Sequence, residues 1–216
     1  MPFRKLRHGC FLLLCLASIA ALSVRAQSTI GWLRYAIPPD PPRYHGMPHT
    51  VVLLGNSGQA APEELAAADE LDRGLGHMVA GTDIVLHRFD PRIDAIVLGT
   101  TEALHRARIG RTLPGWTEKP LPEEGFRIVH LRRGIREWYI LQGGSPRAEL
   151  WAAFRFAALV AEDQQLPEDF TDAPRLPLRS VDLGHAPELL PLLESKTPRS
   201  GLARLLASTG INGVLV

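Results

Sequence analysis

The last sixteen residues limit the possible folds of this chain more than any other stretch. Residues 201–216 read GLARLLASTGINGVLV, and three leucines recur there at the spacing of one helical face. Gly210 favours the left-handed conformation that ends a helix, and residues 213–216 form a short apolar run typical of a strand buried on both faces. Because such a strand needs neighbours for its backbone and both faces, we expect that it either closes the preceding domain or begins a larger one.

The first 26 residues have the pattern of an export signal. Three basic residues precede an apolar run over residues 11–22, which is too short to span a bilayer. The segment 1–26 ends in Ala26, where a small residue suits cleavage before Gln27; the alternative is an uncleaved membrane anchor. Cleavage predicts a secreted or periplasmic protein with no membrane contact after processing.

Composition excludes several classes of function for the mature chain. Cys10 and Cys15 both lie in the signal, so no disulfide and no cysteine metal site is expected after cleavage. The signal also holds four of the 24 basic residues and no acid, which leaves 20 basic against 23 acidic side chains, a net charge of −3. This balance argues against a nucleic-acid partner.

Strand and helix patterns alternate along the mature chain in the order β-α-β-β-α-β-β-α. The strand candidates are residues 50–55, 82–87, 95–99, 126–131 and 137–141, and the helix candidates are residues 62–79, 101–108 and 146–162. Residues 27–165 are therefore predicted to form an α+β domain, a mixed β-sheet covered by helices on one face. The prolines of residues 27–47 indicate an extended arm, and those of residues 166–178 a linker.

Three stretches resemble the α-glucuronidases of glycoside hydrolase family 67. Residues 31–35 (GWLRY) resemble the start of that family, and residues 94–100 (DAIVLGT) resemble a strand of its N-terminal domain. Residues 203–214 (ARLLASTGINGV) are similar to the segment that enters its catalytic barrel. The resemblance implies an α-glucuronidase N-terminal-like domain followed, over residues 179–216, by the first strand of an incomplete (β/α)8 barrel.

The same resemblance implies an activity and a ligand. Members of the family remove 4-O-methylglucuronic acid side chains from xylan fragments, so the implied ligand is a xylan-derived acidic oligosaccharide, with no cofactor. Inverting hydrolysis needs two carboxyl groups that face each other across the sugar. The family's catalytic pair lies downstream of residue 216, so no catalytic residue is assigned in this chain, its substrate-binding residues are unknown, and we expect it to be inactive alone.

Eight acidic residues that might otherwise attract attention are interpreted as solvated, because acidic side chains mostly lie at the surface. They are Glu63, Glu64, Asp69, Glu70, Glu123, Glu124, Glu162 and Asp163. The alternative function is a catalytically inactive, secreted carbohydrate-binding or interaction module. Either function requires a barrel domain or a partner that covers the C-terminal strand.

The entry to the expected barrel departs from the family pattern. Arg179 stands where the family has an arginine, but the Asn-His-Trp-Asp run that follows it in the family is absent from residues 180–185. Asp182 and His185 are either remnants of a sugar pocket or a polar pair that satisfies the end of a strand.

The remaining signals are weak. Residues 55–58 read GNSG and are typical of a turn, since they lack the spacing of a phosphate-binding loop. His45 and His49 have no obvious third ligand, so no metal site is predicted. Trp32 and Trp116 remain candidates either for stacking on a sugar or for packing between domains.

Overall fold

A six-stranded mixed sheet forms the centre of the computed structural model, which describes residues 33, 35–40, 44, 46–55, 60–79, 83–86, 88–185 and 201–215. Its strands are β1 (Thr50–Leu53), β2 (Asp83–Leu86), β3 (Ala95–Thr100), β4 (Phe126–Arg133), β5 (Arg136–Gly143) and β6 (Asp169–Asp172). The described helices beside the sheet are α1 (Pro62–Met78), α2 (Thr101–Arg106), α3 (Ile109–Thr112) and α4 (Pro146–Ala161). A smaller group follows, consisting of β7 (Ser180–Asp182), α5 (Gly201–Ser208) and β8 (Gly213–Leu215). We call this group the C-terminal unit and the preceding part the sheet domain.

The strands of the sheet domain lie in the order β2-β1-β3-β5-β4-β6. The first four run parallel to one another, whereas β4 runs antiparallel to both β5 and β6. The prediction of a mixed sheet with helices is confirmed, and all five predicted strands lie within this sheet.

Helices cover both faces of the sheet because its central strands are apolar at successive positions. Val51 and Leu53 of β1 belong to the core beneath α1 and α4, whereas Val52 points to the opposite side. There it packs with Leu104 of α2 and Ile109 of α3, both of which are fully buried. The prediction of helices on one face only is therefore wrong, since these two short helices close the second face.

Helix α4 is buried nearly all round. Ser145 accepts a hydrogen bond from the Ala148 N–H at 3.3 Å, and Pro146 occupies the first turn, where its missing N–H costs nothing. Trp151 and Phe156 are buried on different sides of the helix. Because α4 contacts the sheet, α1 and α5, it needs apolar side chains in several directions.

Helix α1 buries an apolar stripe against the sheet and α4. Leu65 keeps helical spacing with this stripe but is 46% exposed, whereas Ala67 is fully buried. The buried stripe continues through Leu71, Leu75 and Met78 at helical spacing. A small residue suits position 67 because the helix packs closely against α4.

Part of the predicted linker belongs to the sheet. Residues 166–178 were predicted to lead to the next domain, but β6 pairs with β4 at the edge of the sheet, with Phe170 opposite Ile128. Arg127 of β4 holds Asp169 of β6 through Nε–Oδ1 and Nη2–Oδ2 hydrogen bonds, both of 2.8 Å. This forked pair fixes the register of a strand that few apolar residues support.

The C-terminal unit is a parallel β-α-β arrangement. β7 and β8 pair with Val181 opposite Val214, and the turn after α5 contains Gly210 with the predicted left-handed φ of 78°. The sequence predicts that the final strand is buried on both faces, and this is wrong. Val214 is 38% exposed and Leu215 is 57% exposed, because β7 is the one strand that pairs with β8 among the described residues.

Candidate functional site

The candidate site is the junction between the sheet domain and the C-terminal unit. Its first contact joins Arg204 of α5 to Glu70 of α1. Arg204 Nε donates to Glu70 Oε2 at 2.9 Å, and Arg204 Nη2 donates to Oε1. Arg73 Nη1 donates to the same Oε2 at 3.1 Å, and the Tyr35 hydroxyl donates to Oε1. Two cations and a phenol therefore satisfy one carboxylate, which makes its burial possible.

The surroundings of Glu70 are closely packed. Its side chain is 4% exposed, and that of Arg204 is 16% exposed. Burial raises the pKa of Tyr35, and the negative charge of Glu70 raises it further. This phenol therefore stays protonated and acts as a donor. The Tyr35 ring lies against α1 at Gly74, where an added Cβ would come within 3.2 Å of it. The predicted arm thus lies across α1 and takes part in the junction.

The second contact of the junction is made by Arg179, at the start of β7. Its guanidinium carbon lies 4.7 Å from the centroid of the Trp151 ring on α4. Arg179 Nε donates to the Gly210 carbonyl at 2.6 Å, and Nη1 donates to Glu124 Oε2 at 2.9 Å. One side chain therefore joins both strands of the C-terminal unit to the sheet domain.

Asn212 completes this second contact from the turn before β8. Its Oδ1 accepts from the Arg179 backbone N–H at 2.8 Å, and its Nδ2 lies 3.2 Å from Glu124 Oε1. Both oxygens of Glu124 are thus bonded by the C-terminal unit. Hydrogen bonds from Arg179 lower the pKa of Glu124 below its ordinary value against the opposing effect of burial, and Asn212 adds to the shift. The carboxylate is therefore ionised when it holds the unit.

A cleft of about 380 Å³ lies beside this contact, between α4, β6 and the end of α5. Aromatic, basic and acidic residues all line it, among them Phe126, Trp151, Arg155, Glu162, Asp172 and Arg179. Nη2 of Arg179 is buried without a hydrogen-bond partner among the described residues. The cleft lies at a domain junction, where ligand sites are frequent, but the Arg179 guanidinium occupies the space over the Trp151 ring.

The structure separates Asp182 and His185, which were considered together at the end of β7. Asp182 Oδ1 accepts a hydrogen bond from the Gly184 N–H at 2.8 Å. No hydrogen bond joins Asp182 to His185 in the described part of the chain, and both residues are exposed. Asp182 therefore satisfies the backbone at the end of its strand, as the second interpretation predicts, but it does so without His185.

Trp116 packs inside the fold and is not a surface for sugar stacking. It is 6% exposed and lies in the core beneath α2 and α3, with the Arg127 guanidinium carbon 5.0 Å from its ring centroid. Trp32, His45 and residues 56–58 of the predicted turn lie outside the described residues. No described helix is long and apolar enough to cross a bilayer, and no metal-binding group of three His, Cys, Asp or Glu side chains occurs among the described residues.

The prediction that the acidic residues are solvated is wrong at three positions, one of which is Glu124, whose two oxygens are bonded as described above. Glu70 is held in the junction, and Glu64, which is 2% exposed, accepts a hydrogen bond from the Ala61 N–H at 2.7 Å at the start of α1. A further acid, Glu149 of α4, is fully buried, and its two carboxyl oxygens have no hydrogen-bond partner among the described residues. Burial, and then the charge of Glu64, raises the pKa of Glu149 well above its ordinary value.

Sequence reasoning missed the two junction acids for a specific reason. Glu70 and Glu124 lie on an amphipathic helix and in a loop, where acids are ordinarily solvated, and their partners lie far away along the chain. A signal for Glu70 existed in its position one residue before the buried Leu71, on the side of α1 that carries the small residues Ala67 and Gly74. Small residues on one side of a helix indicate close approach of another element.

The fold that carries this junction is similar to one found in a glycoside hydrolase. A solved family GH115 4-O-methyl-α-glucuronidase with specificity for decorated arabinogalactans superposes with a TM-score of 0.52. The two sequences are 13% identical, and the match covers 78% of this chain and 25% of that chain. At this identity the likeness concerns the fold alone.

The family itself is shown by the sequence match. The model of the glycosyl hydrolase family 67 N-terminus matches residues 31–156, so this chain belongs to glycoside hydrolase family 67. The probable α-glucuronidase A of Aspergillus terreus is 30% identical over 214 residues, which cover 91% of this chain and 24% of that protein. The α-glucuronidase A of Emericella nidulans is 26% identical and covers 94% and 26% respectively. The chain thus spans about a quarter of the length of the curated relatives that it matches.

Proposed function

We propose that this chain is the N-terminal part of an exported α-glucuronidase that hydrolyses 4-O-methylglucuronic acid side chains from xylan-derived oligosaccharides. Membership of glycoside hydrolase family 67 supports the hydrolase class, and relatives named α-glucuronidases align with more than nine tenths of the chain. Because the chain spans about a quarter of their length, we infer that the catalytic carboxyl pair lies in sequence beyond residue 216.

The observation that carries this proposal is the parallel pairing of β7 with β8. A β-α-β unit with parallel strands is the repeating element of a (β/α)8 barrel, and we propose that the C-terminal unit is the first such element. The half-exposed Val214 and Leu215 on β8 are where the next strand, or a partner domain, would pack. The sheet domain then serves to hold the first element of the barrel through Glu70 and Glu124.

Export is a second part of the proposal. Residues 1–26 have the charge and apolar pattern of a signal peptide, which supports a secreted or periplasmic enzyme without membrane contact after cleavage. Expression of the chain with its own N-terminus should give a processed product that begins at Gln27. A cell-associated product that retains Met1 would contradict export.

The test of the activity compares two polypeptides. Residues 27–216 alone should release no methylglucuronic acid from an acidic xylo-oligosaccharide, whereas the same chain extended by a family 67 barrel should release it. Release by residues 27–216 alone would contradict the inferred position of the catalytic pair. A folded extended protein that leaves the acidic oligosaccharide intact would contradict the assigned activity.

A further inference from the structure

A second pocket lies beside the turn of the β4–β5 hairpin. This end of the two strands is the one farther from the junction. Phe126, at the start of β4, follows the junction residue Glu124 by two positions, whereas the pocket lies beside Arg132, near the end of the same strand. The pocket has a volume of about 350 Å³. It is formed by the arm before β1, the hairpin of β4 and β5, and the segment after α4. Three separate parts of the chain therefore converge on it.

Glu137 of β5 is the polar centre of this pocket, with a side chain that is 14% exposed. Its Oε1 lies 2.6 Å from His130 Nε2, accepts from Arg132 Nη2 at 2.8 Å, and accepts from the Tyr139 hydroxyl at 3.3 Å. Its Oε2 has no hydrogen-bond donor among the described residues and lies on the side of Gly46, where an added Cβ would come within 3.8 Å. Because a carboxylate oxygen accepts two hydrogen bonds, Oε2 is available to a ligand hydroxyl.

Glu137 is ionised in this pocket. Burial opposes ionisation of Glu137, but hydrogen bonds from Arg132 and His130 outweigh it and hold the pKa of Glu137 below its ordinary value. The carboxylate is thus fixed in its accepting form beside one guanidinium. The Arg132 side chain is 67% exposed, which leaves N–H groups accessible for a second ligand oxygen.

Flat and apolar surfaces adjoin these polar groups. The His130 ring stacks on the Tyr139 ring at 4.4 Å between centroids and 11° between planes, which fixes the imidazole in place. Met47 and the partly buried Leu166 also line the pocket. A sugar ring presents both kinds of surface, because its C–H groups pack on apolar walls and its hydroxyls pair with carboxylate and guanidinium.

Other ligand classes fit this pocket less well. An anion would meet the ionised Glu137 and the exposed Glu168 at the rim, whereas a cation would meet Arg132. A purely apolar ligand would leave Glu137 Oε2 buried and unpaired, which costs about 1–3 kcal/mol. The volume lies at the lower end of the range of ligand pockets, about 300–1,000 Å³, which limits the ligand to one or two rings.

We propose that this pocket binds a neutral sugar of one or two pyranose rings. Glu137 Oε2 accepts a hydrogen bond from one hydroxyl, Arg132 donates to a neighbouring oxygen, and Gly46 lines the pocket beside Oε2 without a side chain that would compete for that hydroxyl. This is a sugar-binding site on the sheet domain, separate from the site where a family barrel carries out hydrolysis. We expect the natural ligand to be the xylose backbone of xylan, and this expectation rests on the proposed function.

The test uses ring and amide NMR shifts of His130 in residues 27–216 during titration with xylobiose, galactobiose and an acidic xylo-oligosaccharide. Xylobiose should shift the His130 signals with millimolar affinity. Glu137→Gln should weaken this binding at least about tenfold, because a carboxylate bonds a hydroxyl more strongly than an amide does. Gly46→Leu should abolish it while leaving the hydrogen-bond network of Glu137 in place.

A matched control is Glu118→Gln, since Glu118 also pairs with a histidine, with Oε2 3.0 Å from His105 Nδ1, but lies outside the pocket. It should leave sugar binding unchanged. The proposal is overturned if no sugar shifts His130, if only the acidic sugar binds, or if Gly46→Leu binds xylobiose normally. Binding of galactobiose but not of xylobiose would support the pocket while contradicting the proposed xylan substrate, so the two failures are distinguishable.

Discussion

Arg204 and Glu70 form a forked ion pair across 134 residues of sequence, and this pair joins α5 to α1. Its position explains how a short β-α-β unit remains in place with few apolar contacts of its own. The two ionic groups are buried together, and the Tyr35 hydroxyl and Arg73 complete the hydrogen bonding of the carboxylate. Removing one partner of such a pair leaves an uncompensated buried charge.

Replacing Arg179 with lysine should destabilise the junction by about 2 kcal/mol, because an ammonium cannot bond Glu124 and Gly210 together while stacking on Trp151. The free energy of unfolding in urea measures this loss. Arg155→Lys is the matched control. The Arg155 guanidinium carbon lies 5.6 Å from the Phe170 ring centroid, and Arg155 forms no ion pair with the described residues. Equal losses for the two variants would contradict the special role of Arg179.

Replacing Glu149 with methionine should stabilise the protein at neutral pH by about 1–3 kcal/mol, because it removes a buried carboxyl group without a partner. The folded-state pKa of Glu149 is raised above its ordinary 4.5, so the folded protein binds the proton more tightly than the unfolded chain. The native protein therefore loses stability as pH rises from about 4.5 towards the folded-state pKa.

Unfolding free energies measured at pH 4 and pH 7 test the direction of this pH dependence. The stabilisation by Glu149→Met should be larger at pH 7 than at pH 4. Glu162→Met, a change at the exposed end of the same helix, should alter stability by no more than about 0.5 kcal/mol at either pH. A destabilised Glu149→Met protein at pH 7 would show that the carboxyl group has a stabilising partner.

Replacing Asp169 with asparagine should weaken the attachment of β6 to β4. It should also make the free energy of unfolding less dependent on pH in the acid range. Hydrogen bonds from Arg127, against the effect of burial and with help from Lys119, lower the pKa of Asp169 from 3.8 to about 2. Stability from this group is therefore fully present above pH 3.8 and is lost as pH falls to about 2. Because Asp169 is 40% exposed, solvent screening limits the loss at pH 7 to about 1 kcal/mol.

Guanidinium titrations at pH 7, 4 and 3 measure this effect. The native protein should lose more stability between pH 4 and pH 3 than the Asp169→Asn variant. If both proteins lost the same amount of stability between pH 4 and pH 3, the Arg127 pair would contribute nothing to folding.

Two glycine-to-alanine changes should act in opposite directions. A Cβ at Gly144 would lie 1.9 Å from the Pro122 carbonyl oxygen, so Gly144→Ala should destabilise by at least about 1–3 kcal/mol. At Gly76, in the last turn of α1, a Cβ would meet no atom within 4 Å, so Gly76→Ala should stabilise by about 0.5–1 kcal/mol. Thermal melting of both variants tests the pair, and a stabilised Gly144→Ala protein would contradict the close approach.

The strands and long helices are predictable because their signals are local. Residues 95–99 are apolar at every position, as a strand covered on both faces requires, and Ser145 with Pro146 defines the start of α4. The helix at residues 101–108 was predicted, but its place on the second face and the existence of α3 were not, because both helices are too short to show a periodic apolar face. β6 was missed because prolines flank it and its support comes from Arg127, which lies on the adjacent strand β4 but 42 residues earlier in the sequence.

The pocket around Glu137 and the junction at Glu70 differ in how far the sequence alone could predict them. Arg132 and Glu137 face each other across the β4–β5 hairpin, whose register follows from its two-residue turn at Gly134, so that pair is readable in principle. The pairing of Arg204 with Glu70 is not, because it depends on how an arm, a helix and the C-terminal unit come together. Long-range ionic contacts carry no periodic signal.

The measurement that tests the account most directly is hydrogen exchange of the amides in α5 and β8, in the native chain and in Arg204→Met. We predict that the variant loses protection there, with an opening free energy lower by about 3 kcal/mol, while β3 keeps its protection. Arg106→Met, which breaks the exposed pair with Glu102, should change neither region. Full protection of α5 and β8 in Arg204→Met would contradict the claim that the sheet domain holds the C-terminal unit through this pair.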